Sequence, residues 1–83
     1  MTEEEALARL TEVFRAVFRR PGLVLDPAWT AADLDGWDSL RHVELVLATE
    51  ARFDVRLEAE ALAGLGSVGD LLAAVRAAGS RER

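Results

Sequence analysis

The sequence predicts an all-α fold with a long first loop and a short third helix, and three observations predict it. Apolar residues recur at three- and four-residue spacing in separate stretches. Capping pairs and stop residues bracket those stretches. Between the first two lies a segment from Pro21 to Asp38 with no sustained period, where two prolines, two glycines and four aspartates collect. A chain of 83 residues has room for one small domain, which buries only about 60% of its unfolded surface.

The first helix is marked by Leu7, Leu10, Phe14 and Val17, with Phe18 adjacent, and should run from about Glu3 to Arg19. Thr2 and Glu5 make a capping box, Arg19 and Arg20 suit the negative end of the dipole, and Pro21-Gly22 stops the helix. The loop that follows is long for a compact domain. Leu23, Val24, Leu25, Trp29, Leu34 and Trp37 make it too apolar for a free linker, so it should pack across the helix ends with the two tryptophans as anchors. A second helix is expected from Ser39 to about Phe53, capped by Asp38 or by Ser39 itself. Leu40, Val43 and Leu47 form one apolar stripe on it, while Leu45, Val46, Ala48 and Phe53 fill much of another. A helix apolar over more than one face is either deeply buried or offers a surface to something else. Val55-Arg56-Leu57 reads as an extended link, and residues 58–63 as a brief helical turn before Gly64. The last helix carries Val68, Leu71, Leu72 and Val75, with Ser67 and Asp70 as a capping pair and Gly79 as its close.

Composition narrows the function. The chain has no cysteine and one histidine, His42, which removes disulfides, thiolate metal sites and a cysteine nucleophile. No apolar run approaches the ~20 residues of a membrane span. The acidic opening Met1-Thr2-Glu3-Glu4-Glu5 is unlike an export signal, so a cytoplasmic location is expected. Nine acids face three arginines between Asp26 and Glu60, six net negative charges. Nucleic acid, which needs a basic stripe, is a poor partner; proteins with basic docking patches fit better.

The segment Leu34-Asp35-Gly36-Trp37-Asp38-Ser39-Leu40 carries the candidate chemistry. A serine where a long loop enters a helix is exposed, and the unpaired N–H groups of the first turn favour an anion beside it. Serine at a helix start is also an ordinary cap. A relay of Asp38, Ser39 and His42 would need the histidine to reach the serine oxygen with the acid behind it, and neighbours on one turn seldom manage this. Aligning Gly36 with the glycine of a calcium loop places Ala31 and His42 at ligand positions, which rejects that reading.

The stretch Asp38-Ser39-Leu40, followed by Val43-Glu44-Leu45-Val46 and Phe53, resembles the phosphopantetheine attachment region of acyl carrier proteins. Ser67-Val68-Gly69-Asp70-Leu71 resembles the start of that family's last helix, so the likeness spans nearly the whole chain. It implies a single carrier domain over residues 1–83, a four-helix bundle with a short third helix at about 59–63 and a last helix at about 68–79. It further implies a carrier rather than an enzyme, with Ser39 holding 4′-phosphopantetheine derived from coenzyme A and Asp38 supporting the modification. Leu40, Val43, Glu44 and Leu47 would form the face that partners read. Those partners would be a phosphopantetheinyl transferase, an acyl-loading ligase or acyltransferase, and a ketosynthase or other acyl-processing enzymes, visited by a monomer. From Ser39 to Phe53 the charges cancel, whereas fatty-acid carriers tend to be acidic there, which points to a specialised pathway such as polyketide assembly. Thr49 falls where such carriers often have a larger apolar residue, favouring a short or polar cargo. An aminoacyl or peptidyl carrier, and a non-covalent adaptor using the Leu40-Val43-Leu47 stripe, are the alternatives.

Overall fold

The computed structural model describes residues 2–57 and 65–81. Among them are three helices: α1 over Glu3–Phe18, α2 over Ser39–Phe53 and α3 over Val68–Arg81. The expected short helix at 59–63 lies outside the described residues.

Local chemistry sets the ends of α1. Thr2 Oγ1 accepts from the Glu5 N–H at 3.1 Å, and Glu5 Oε1 accepts from the Thr2 N–H at 3.2 Å, closing the capping box. Glu3, Glu4 and Glu5 lie at the positive end of the helix dipole. The helix stops one residue before the expected Arg19, which adopts left-handed φ 56° and donates its N–H to the Arg15 carbonyl. A non-glycine residue ends α2 in the same way: Asp54, at φ 54°, donates to the Glu50 carbonyl. Glu50 is doubly used there, because its carboxylate also accepts the Leu57 N–H at 2.7 Å and draws the chain back towards the core.

Gly79 does not close the last helix, which continues to Arg81. Glycine permits a stop without imposing one, and Ala78 just before it is packed in the core. At the other end Ser67 Oγ accepts the Asp70 N–H at 3.2 Å, while the Asp70 carboxylate takes the Gly66 N–H at 2.8 Å.

The core joins the inner faces of all three helices. Leu10 and Phe14 from α1, Leu45 and Thr49 from α2, and Val68, Leu71 and Val75 from α3 are almost wholly shielded from solvent. Each large apolar side chain so buried contributes about 1.5–3 kcal/mol. Thr49 enters this core without an orphan, since its hydroxyl donates to the Leu45 carbonyl at 2.7 Å.

The long loop belongs to the same core through Leu25 and Leu34, with Leu23, Trp29 and Trp37 packed partly against it. Val24, expected to pack with them, is exposed. Arg15 holds the start of the loop by donating from Nε to the Leu23 carbonyl at 2.7 Å. Asp26 Oδ1 accepts the Ala28 N–H at 2.9 Å, and Asp33 accepts the Thr30 N–H at 3.0 Å, so the loop's turns are tied by their own side chains. Its middle is fastened to α3: the Val68 N–H donates to the Trp29 carbonyl and the Gly69 N–H to the Pro27 carbonyl, both at 2.8 Å. These bonds satisfy first-turn donors that a helix cannot satisfy internally. A Cβ on Gly69 would meet the Pro27 carbonyl oxygen at 3.0 Å, which is why glycine suits this junction.

Candidate functional site at the start of the second helix

The loop delivers the chain to α2 through a turn at Gly36, whose φ of 89° lies in the region glycine favours. The Trp37 N–H then donates to the Leu34 carbonyl at 3.3 Å and the Asp38 N–H to the Gly36 carbonyl at 3.0 Å. Asp38 is the helix cap: its backbone is extended and Oδ1 accepts the Arg41 N–H at 2.8 Å. Ser39 is therefore the first helical residue rather than the cap, and it is exposed.

This arrangement assigns the first-turn donors. Asp38 and Arg41 have partners for their N–H groups, whereas the N–H groups of Ser39 and Leu40 have none among the described residues. Two main-chain donors at the positive end of a helix dipole thus adjoin the serine hydroxyl. An anionic ester on that hydroxyl fits the site, because it would take up donors left open and place its charge where the dipole favours it.

The structure does not assemble a hydrolytic relay. The Asp38 carboxylate is engaged with the helix backbone. His42 is half-buried and accepts at Nδ1 from the Trp37 indole N–H at 3.2 Å. The two rings lie 17° from parallel with centroids 6.2 Å apart. Trp37 is in turn held edge-on against Phe14 and Phe18 at 5.6 and 6.3 Å. Sequence spacing alone hid this pairing. Only the apolar character of the loop hinted that Trp37 would reach the helices.

The other predicted site residues separate by face. Leu40, Val43 and Leu47 are 69, 55 and 61% exposed, while Leu45, Val46 and Phe53 are buried. Positions 40, 43, 44 and 47 share one side of the helix by their three- and four-residue spacing. Glu44 is exposed there and pairs with Arg41 at 3.2 Å. Arg52 reaches across to Glu12 of α1 at 2.8 Å. The charges on α2 are therefore largely committed within the molecule, and the unpartnered part of its outer face is apolar.

The sequence profile described as a phosphopantetheine attachment site matches residues 8–75. The meromycolate extension acyl carrier protein of Mycolicibacterium smegmatis is 38% identical over 76 residues, covering 90% of this chain and 76% of that protein. An acyl carrier protein of Rhodococcus erythropolis is 37% identical over 76 residues, covering 90% of this chain and 82% of that one. The Mycobacterium tuberculosis relative is longer, and this chain spans 66% of its length. Among solved structures, the holo acyl carrier protein of Geobacter metallireducens superposes with a TM-score of 0.85 at 35% identity, covering 93% of this chain and 88% of that one.

Proposed function

The chain belongs to the acyl carrier protein family, and from that premise we propose that Ser39 is where its 4′-phosphopantetheine group is attached. As a member it is a carrier and not a catalyst. The group, when bound, supplies a thiol that holds acyl chains as thioesters. The observation that carries the assignment is the exposed hydroxyl of Ser39 beside the open N–H groups of Ser39 and Leu40.

The chain's own residues have three tasks in this reading. Asp38 fixes the first turn of α2, so that Ser39 meets a transferase on a rigid element and not on a mobile loop. The Ser39 and Leu40 N–H groups receive the phosphodiester charge. Leu40, Val43 and Leu47, with Glu44 beside them, form the docking face. Leaving such side chains in water forgoes about 1.5–3 kcal/mol for each that could be buried, which a docking enzyme recovers by covering them.

The proposed partners are a phosphopantetheinyl transferase, a loading ligase or acyltransferase, and acyl-processing enzymes such as a ketosynthase. Relatives named for meromycolate extension support a role in specialised lipid biosynthesis. The cancelled charge of α2 supports the second reading, polyketide assembly, because it departs from an acidic docking helix. A cytoplasmic monomer is proposed, supported by the acidic, cysteine-free composition and by the need to visit several enzymes in turn.

Intact-mass measurement tests the attachment. Incubation with coenzyme A and a broad phosphopantetheinyl transferase should add one phosphopantetheine to the chain and none to Ser39→Ala. A non-covalent adaptor would gain no mass, and gain in S39A would move the site elsewhere.

A further inference from the structure

A shallow groove of about 510 Å³ opens beside Ser39, lined by Ala31, Trp37, Asp38, Ser39, His42 and Val43. We propose that this groove seats the pantetheine arm against the Trp37–His42 wall when no partner is docked. The inference rests on the reading of Ser39 as the attachment point.

The occupant follows from the anchor. Because Ser39 is itself part of the lining, a group attached to its hydroxyl begins at the rim of the groove and needs no diffusional encounter to enter it. The volume falls within the roughly 300–1,000 Å³ of pockets that hold molecules of drug size.

The lining offers both kinds of group that the arm carries, polar and apolar. Asp38 and Ser39 form a polar end, where the open N–H groups suit a phosphodiester. The Trp37 and His42 rings, Val43 and Ala31 supply the rest of the lining. Next to the phosphate, the pantetheine arm carries a quaternary carbon with two methyl groups, then a hydroxyl and two amides. The geminal methyls are thus the first part to reach the apolar wall. Because His42 Nδ1 accepts from Trp37, Nε2 is the ring nitrogen left to donate to an amide carbonyl of the arm.

The wall is ready before the arm arrives. Trp37 is fixed by two edge-on phenyl rings and by its indole hydrogen bond to the nearly coplanar His42 ring. Little side-chain freedom remains to be lost on contact, which favours occupancy. Val43 has a further importance because it lines the groove and also lies in the exposed stripe of α2. A partner that covers Val43 competes with the seated arm, so docking frees the thiol for transfer.

Solution NMR of the loaded protein tests this, after mass measurement verifies the modification. Loading should shift the Ala31 amide and methyl signals and the Trp37 indole N–H. It should also give nuclear Overhauser contacts from the geminal methyls to Trp37 and Val43. Ala31 is decisive, since it lies eight positions from Ser39 in the chain. In mass-verified loaded Ala31→Glu, whose longer charged side chain intrudes on the groove, those contacts should vanish while the helix amide signals stay in place. Contacts that persist in A31E, or wild-type shifts confined to residues flanking Ser39, would overturn the seated arm and leave the attachment standing. Absence of any mass gain would overturn both.

Discussion

Glu5 shows how one side chain sets a helix end and makes it sensitive to acid. Its carboxyl is held below the ordinary value of 4.5, first by the Thr2 backbone N–H and then by the Thr2 side chain. A carboxylate lowered in the folded state adds stability that is complete above its ordinary value and disappears as pH falls through the lowered one. Gln at the same position keeps a capping acceptor but cannot titrate. Wild type should therefore exceed Glu5→Gln in urea midpoint at neutral pH, and the two should converge as pH falls through the carboxylate range. A gap that stays constant with pH would refute the account. The cap was readable because its two residues are three apart in the chain. The same locality made Asp38 and Ser39 legible as a helix start, though not which of them is the cap. The His42 environment was not legible: its partner is an indole whose position depends on Phe14 and Phe18, far away in sequence.

At the scale of elements, α2 presents a buried apolar face and an exposed one. Leu45, Val46, Thr49 and Phe53 hold it to the core, and Leu40, Val43 and Leu47 stay exposed. That double pattern was visible as an excess of apolar positions, whereas the commitment of Glu50 and Arg52 to partners on other segments was not. Gly79 gave the wrong stop for α3, because a glycine in a packed helix costs only about 1 kcal/mol. Gly69 has the opposite character, being required by a neighbour and not by its own backbone. Ala at 69 would gain about 1 kcal/mol of helix propensity, but its Cβ would press on the Pro27 carbonyl, and overpacking costs about 1–3 kcal/mol. Gly69→Ala should therefore lower stability by about 1 kcal/mol in urea denaturation. A more stable variant would mean that the loop yields.

For the molecule as a whole, the long loop is a structural member, tied at Arg15, seated through Leu25 and Leu34, and bonded to α3 by two of its carbonyls. Its apolar content predicted packing across the helix ends, but no sequence signal named Val68 and Gly69 as its partners, since main-chain bonds leave no mark on residue type. Hydrogen exchange reads this junction. First-turn helix amides ordinarily exchange fast, yet those of Val68 and Gly69 should be protected like amides inside α1 and α2. Exchange near the free rate would detach the loop from α3.

A joint of this kind has an evolutionary corollary. Carbonyl and amide groups are the same in nearly every residue, so substitutions at Trp29 or Val68 can alter packing without erasing the two bonds themselves. Only glycine at 69 is tightly constrained. Descendants of this chain can therefore recast the surface around Ser39 while the frame beneath it stays bolted in place.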